Sequence, residues 1–446
     1  MPVAGREYGT PFRSQRNKHR GREIMKTKIM AVLTAVMASF GWHALAQTYD
    51  TNSEVVQTFA GSGFSGYLDG VGQLTMFNNP NAIVADSHSN LFVWDSSNYR
   101  IRKIAPDGTV TTFAGGSSGN NYQGTGTNVT FGYNMTGLTI DRSNTVWASS
   151  SGASWLWKIT SAAVVTYTNL SNFIGVANGI PGVCADSSGN IYLSTGAGNK
   201  IFRYSTNSVL TVFAGSGNSG NADGNGIFTS FNSPAALVTD SADNIYVWDN
   251  FNYLIRKIDQ NQNVTTLAGK YQNSSSLDGV GSNAAFNSIS QMCVDGSGNL
   301  ILACGGSIRK MDASSNVVTM AGSFTQTGYT NGAGNLARFS PGGSGSREGV
   351  CISGGIIFVA DSGNQRIRQI SFNPSSQVVT GANLGIGTFA GVTINGIVGR
   401  TYQIQSSPDL NAWTTRATIL LTSSPYLWID QNPIAGNKFY QALLLP

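Results

Sequence analysis

The segment Val110-Thr-Thr-Phe-Ala-Gly115 recurs with small changes down the chain, and each copy is followed by a glycine-rich stretch and then by an apolar, aspartate-bearing pattern. Equivalent positions fall at Asp86, Asp141, Asp186, Asp240 and Asp295, with Ser353 in the sixth place, so the spacings are 55, 45, 54, 55 and 58 residues. A period of that size means one small antiparallel sheet per unit. The clearest unit reads Asn81-Ala-Ile-Val-Ala-Asp86, Leu91-Phe-Val-Trp-Asp95, Tyr99-Arg-Ile-Arg-Lys-Ile104 and Thr109-Val-Thr-Thr-Phe113, with turn clusters between. β-rich runs punctuated in this way give four strands, a to d, per unit.

Strand b is apolar without alternation in Leu91-Phe-Val-Trp, Ile245-Tyr-Val-Trp, Leu300-Ile-Leu-Ala and Ile357-Phe-Val-Ala. Both its faces must therefore be buried, which in a tandem array means a neighbouring sheet on either side. Closing the stack into a ring removes the exposed ends. The expected fold is all-β, a six-bladed β-propeller with six a-b-c sets. Its first d strand, Val55-Val-Gln-Thr-Phe59, precedes the first a strand. That strand is expected to complete the sixth sheet and so close the ring.

Asp86-x3-Asn90-Leu-Phe-Val-x-Asp95-x2-Asn98-x-Arg100-Ile-Arg-Lys-Ile104, together with Asp361-Ser-Gly-Asn364-Gln-Arg366-Ile-Arg-Gln-Ile370, resembles the NHL repeat. The resemblance spans 55–376 and recurs in register. It implies a propeller whose non-equivalent loops hold an asymmetric partner. Blade three departs by losing the Asp-Gly loop, and blade two by carrying Ser and Trp155 at its b–c corner. From 377 to 446 the period stops and shorter strand-like runs, Thr401-Tyr-Gln-Ile-Gln among them, predict a small β-sandwich-like module. Its Tyr402 to Trp413 segment is similar to terminal modules of secreted bacterial repeat proteins.

The N-terminal region follows different rules. Residues 25–46 combine a short cationic start, an apolar core and Ala44-Leu-Ala46, the pattern of a secretory signal peptide. Residues 1–24 read as an upstream extension and 47–54 as a linker. The apolar run is too short and interrupted to serve as a membrane span. The chain has 27 Lys and Arg against 22 Asp and Glu, but eight basic and two acidic residues lie before residue 29; removing them leaves 19 against 20. That balance gives no footprint for nucleic acid. The expected location is secreted, at the cell surface or in the periplasm, with no transmembrane segment in the mature chain.

Four cysteines are too few for a disulfide framework in a chain this long. Cys184, Cys293 and Cys351 hold the same place in different repeats, which predicts well-separated, buried hydrophobes. Cys293 and Cys304 are expected on adjacent strands of one hairpin in a diagonal relation, where the geometric demands on a bond make it the less favoured outcome.

Antiparallel strands put the d–a loops and the b–c corners at one end of the ring. Tyr67, Tyr99, Phe251, Tyr253 and Tyr329 gather there, as do Tyr122, Trp155 and Tyr271. Aromatic side chains on loops supply recognition area at low entropic cost. Glu348, at the loop-side start of the last a strand, completes the candidate binding set. Asp95, Asp249 and Asp361 with Arg100 and Arg366 recur in several blades, so they read as braced turns and not as an active site. The Asp-Gly-x-Gly loops at Asp69, Asp223 and Asp278 lack the alternating oxygens of a calcium loop and read as turns. No cofactor is expected, with calcium held by these loop carboxylates as the less favoured alternative. Beyond residue 46 one histidine remains, His88, placed in an a–b turn, which argues against a zinc site or a Ser-His-Asp triad.

The expected function is a non-enzymatic scaffold holding a protein, peptide or glycan across the loop end. The rivals are a metal-assisted hydrolase or lyase of lactonase-like propeller type and a structural cell-envelope component.

Overall fold

The computed structural model describes residues 54–372 and 391–444, apart from 120, 132–134, 175–178, 343–346, 395–396, 398–399, 408–410, 422–425 and 430–438. The signal-peptide, extension and most of the linker assignments lie outside the described residues, as does 373–390.

Six antiparallel sheets of four or five strands follow the repeat. The a strands are Pro80–Ala85, Gly137–Ile140, Val183–Ala185, Pro234–Thr239, Met292–Val294 and Gly349–Ser353. Each lies beside the a strand of the next sheet, and the sixth lies beside the first, so the sheets are arranged radially in a propeller-like ring. In all but the third sheet a two-residue strand such as Gly70–Val71 adds to the outer edge of d. The third has four strands among the described residues, and its d–a loop is short and lacks the Asp-Gly.

Strand b is buried along its length in Leu91–Asp95, Ile245–Asp249 and Leu300–Ala303, which follows from its unbroken apolar run. The cores lie between sheets. Phe92 and Trp94 of the first sheet pack with Val146 and Trp157 of the second, while Ile83 and Val93 pack with Phe358 and Ile367 of the sixth. Each sheet thus buries both faces, and burial of this kind is the main stabilising contribution.

The ring closes as expected. Glu54–Ala60 forms the d strand of the sixth sheet, antiparallel to Arg366–Phe372 with Val56 opposite Ile370. A second tie crosses the inner ring. Gln291, leading into the fifth a strand, donates from Nε2 to the Ile83 carbonyl at 2.7 Å and accepts from the Ile83 N–H at 3.2 Å. It passes the start of the sixth a strand, where a Cβ on Gly349 would lie 2.9 Å from Gln291 Oε1 and 3.0 Å from Ala82 Cα. Only glycine leaves room for that crossing.

The recurrent Ala-Gly that ends strand d has a steric cause. Gly115 sits at φ +92° with the Tyr99 carbonyl of the b–c corner 2.4 Å from where a Cβ would be, and Gly269 repeats this at φ +107° against the Tyr253 carbonyl at 2.2 Å. The repeat that defines the sequence is thus the contact between one corner and the next strand's exit.

Beyond the propeller, Thr414–Leu420, Thr401–Ser407 and Phe439–Leu444 form one small sheet, and Gly391–Ile394 with Tyr426–Ile429 another. Ile394 of the second packs with Tyr402 and Ile404 of the first, which makes the expected two-layered module.

Candidate binding face and its supporting network

All the charged groups that the sequence places at the b–c corners are structural, but their partners differ from expectation. The bracing arginine is the second of the Arg-Ile-Arg pair, not the first. Arg102 is fully buried and donates to Asp95 Oδ2 at 2.9 Å, to Asp69 Oδ1 at 2.6 Å and to the carbonyls of Met76 and Leu68. Arg256 repeats this with Asp249 at 2.9 Å and Asp223 at 2.7 Å, and Arg368 with Asp361 at 2.7 Å and Asn331 at 2.7 Å. Arg309 holds Asp278 at 2.8 Å, with Cys304 where blades one, four and six have the corner aspartate. Each guanidinium also lies near a phenylalanine ring, Phe77, Phe231, Phe286 or Phe339, at 4.7 to 5.3 Å.

Arg100 and Arg366, expected to brace the corner, instead stack on tyrosines. Arg100 lies 4.1 Å from the Tyr67 ring centre and donates to the Gly116 carbonyl, while Arg366 lies 3.9 Å from Tyr329 and donates to the carbonyls of Asn364 and Ser62. Position along the strand explains the exchange. Residues 100, 102 and 104 share one face of strand c, but Arg102 lies within the strand and is buried beside Ile104, whereas Arg100 is its first residue, at the loop end, and only half-buried. In blades two and three Trp157 and Phe202 replace the buried arginine, while Ser150 and Thr195 replace the corner aspartate. That paired loss is the sequence signal that identifies residue 102.

The Asp-Gly-x-Gly segments, expected as turns, instead form the two-residue edge strands, each followed by a 3-10 turn from the second glycine, and their aspartates have an added role. Asp69 accepts from Thr112 N–H and Oγ1 as well as Arg102, and Asp223 and Asp278 do the same with Thr266 and Thr319. Their carboxylates fasten the loop to strand d. At the opposite end, Asp86 accepts from the N–H groups of His88 and Asn90 and from Asn90 Nδ2, an Asx-type turn repeated at Asp186, Asp240 and Asp295. His88 is an exposed residue of that turn.

The candidate aromatics divide in two. Tyr67, Phe251 and Tyr329 are 60%, 60% and 41% exposed. Tyr99 and Tyr253, expected on exposed corners, are half-buried in left-handed conformation and pack edge-on against Trp94 and Trp248. They belong as much to the core as to the surface.

Glu348 is fully buried. Its Oε2 accepts from the Gly306 N–H at 2.9 Å, and burial, aided by the nearby Asp361, pushes its pKa up to about 8. It therefore carries a proton at neutral pH. Burial also raises Asp95 and Asp249 to about 6, against the hydrogen bonds and arginines that hold them down. No three of the described His, Cys, Asp and Glu side chains gather into a set that could hold a metal ion.

A cavity of about 210 Å³ lies on the axis, lined by all six a strands. Its polar lining includes Thr139, Thr239, Gln291 and three cysteines, Cys184, Cys293 and Cys351. The sequence reading set those cysteines far apart; they converge because every a strand faces the axis. All four cysteines are free thiols. Cys293 is paired with Ile301, so Cys304 lies three residues further on, just past the end of the neighbouring strand and out of the expected diagonal relation.

No family model and no curated protein matches this chain. Solved structures share its fold. A protein of unknown function from Bacteroides thetaiotaomicron is 19% identical with a TM-score of 0.57, covering 71% of this chain and 76% of its own. An auxiliary nutrient binding protein from the same organism is 16% identical with a TM-score of 0.55, covering 72% and 76%. A putative phosphatase from that organism is 14% identical with a TM-score of 0.51, covering 71% and 78%. At these identities the likeness establishes a propeller-like fold.

Proposed function

We propose that this chain is a secreted six-bladed propeller of NHL-repeat type that holds a protein, peptide or glycan across its loop end, without catalysing a reaction. The observation that carries this reading is the division of labour at that end. The carboxylates of Asp69, Asp95, Asp223, Asp249, Asp278 and Asp361 are engaged by buried arginines, whereas large apolar side chains are exposed on the d–a loops and b–c corners, aromatic at Tyr67, Phe251 and Tyr329 and aliphatic at Leu68 and Leu277. Ligand-binding residues on loops held by a rigid scaffold fit that pattern. One fold neighbour is an auxiliary nutrient binding protein, which agrees with a binding role, although fold alone assigns no function.

The lactonase-like alternative needs a carboxylate-rich axial site. Glu348, its one candidate, is neutral at pH 7 and does not line the cavity. The test uses residues 47–446, the product expected from cleavage after Ala46, which N-terminal sequencing of secreted material checks. A partner recovered from culture medium is expected to lose affinity for Tyr67→Ala and Phe251→Ala and to retain it when 377–446 is removed. Retention by both loop variants with loss on truncation would move recognition to the terminal module. Metal-dependent turnover abolished by Glu348→Gln would establish the enzyme instead.

A further inference from the structure

Three exposed rings form a connected strip across blades six and one. Tyr329, in the sixth d–a loop, has one face covered by Arg366 at 3.9 Å. Arg366 donates at 2.7 Å to the carbonyl of Ser62, which opens the first d–a loop. That loop carries Phe64, 72% exposed, and then Tyr67, whose ring is backed by Arg100 at 4.1 Å. Asn98 of the first b–c corner donates to the Gly66 carbonyl at 2.7 Å and fixes the loop between the two rings. The Tyr329 hydroxyl bonds Thr58 at 2.9 Å. Tyr67 is thus held by one guanidinium and Tyr329 by two, since Arg368 also lies 4.8 Å from its ring centre, and both rings keep surface open to solvent.

Resting on the binding reading above, we infer that this strip, Phe64, Tyr67 and Tyr329, is a platform for an uncharged polysaccharide. Three features select that class. The ring systems are exposed surfaces and not the walls of a pocket; none of them lines the axial cavity, and a peptide anchor needs a desolvated pocket for its side chain. The flanking charges are engaged: Arg100 and Arg366 bond carbonyls, and Asp69 is held by Arg102 at 2.6 Å, so little remains to select a charged ligand. The rings are pre-organised, which lowers the ordering cost of binding. Sugar rings present flat C–H faces to such surfaces, and their hydroxyls find partners in the Ser, Gly and Asn backbone and side chains of these loops.

Native electrophoresis of residues 47–446 in gels containing mixed-linkage β-glucan, xylan, galactomannan or polygalacturonate tests the assignment. Retardation is expected in at least one neutral gel, with affinity at least about tenfold weaker in Phe64→Ala and Tyr67→Ala. Tyr329→Leu, which keeps apolar cover over Arg366, is expected to weaken it as well, while Val209→Ser on the opposite end retains it. Melting curves identify any variant that has unfolded. Unaltered mobility of the parent chain in all three neutral gels, retardation by polygalacturonate alone, or full retention in the Phe64→Ala/Tyr67→Ala double variant overturns the inference. If a peptide ligand is instead lost from those same variants, the platform binds peptide; the glycan assignment falls while the scaffold reading stands.

Discussion

Replacing Arg256 by Met tests the logic of the buried network. Arg256 is fully buried and contacts Asp249 at 2.9 Å, Asp223 at 2.7 Å and the carbonyls of Ser230 and Ala222. Its loss strands Asp249, which is also fully buried and retains Asn232 N–H at 2.7 Å and Asn252 Nδ2 at 2.6 Å. Asp223 is exposed enough to be solvated and keeps Thr266. Removing one partner of a buried pair costs about 3–5 kcal/mol, and the surviving hydrogen bonds place this case near the lower end, about 3 kcal/mol. Adding Asp249→Ser removes the stranded charge and recreates the pattern of blades two and three, where Ser150 accompanies Trp157 and Thr195 accompanies Phe202 at the equivalent positions. The double variant is expected to recover about 1–2 kcal/mol relative to the sum of the singles. Urea unfolding at pH 7, followed by tryptophan fluorescence and circular dichroism, measures all three. Strict additivity, or a cost below about 1 kcal/mol for Arg256→Met, would falsify the view that this arginine exists to neutralise the corner.

Glu348 provides a pH test. Its pKa rises from 4.5 in the unfolded chain to about 8 in the fold, so the folded state keeps a proton that the unfolded state has lost between those values. Stability therefore falls as pH rises through that window and levels off above 8, by up to about 5 kcal/mol from this group. Glu348→Gln should flatten the part of the profile between pH 6 and 8; an unchanged slope there refutes the assignment. Deleting residues 47–60 removes the d strand of the last sheet and should broaden the melting transition and promote association through the freed edge, read by calorimetry and light scattering. An unaltered transition means that the ring closes elsewhere. Gly115→Ala, with its Cβ 2.4 Å from the Tyr99 carbonyl, should cost about 2 kcal/mol or more, whereas a neutral result in thermal unfolding would mean that the corner yields.

The sheet order, the closing strand and the both-faced burial of strand b were legible because each follows from a periodic pattern repeated with register. The identity of the bracing arginine was not. Arg100 and Arg102 look alike in a linear reading and lie on the same face of strand c, and only their distance from the loop end, with the coupled replacement of Asp95 and Arg102 in two blades, separates them. Tyr99 and Tyr253 illustrate a second limit: corner position suggests exposure, but a left-handed backbone turns part of each ring toward Trp94 and Trp248. The convergence of Cys184, Cys293 and Cys351 was implicit in the ring itself, since equivalent a-strand positions share an axis however distant they are in sequence. The burial of Glu348 depends on the Gly306 corner of the preceding blade, a contact that no local pattern announces.

The pairing of Glu54–Ala60 with Arg366–Phe372 also sets an order of events during synthesis. The first strand made waits for the last, so an emerging chain has an unpaired edge at its leading end throughout translation of the array. Bringing these segments together carries the loop-closure entropy of the whole propeller, a non-local step that slows folding. Completed inner sheets can stack behind it, but the circle joins only after residue 372 is available. Chains interrupted before that point expose adhesive edges at both ends and are prone to aggregate.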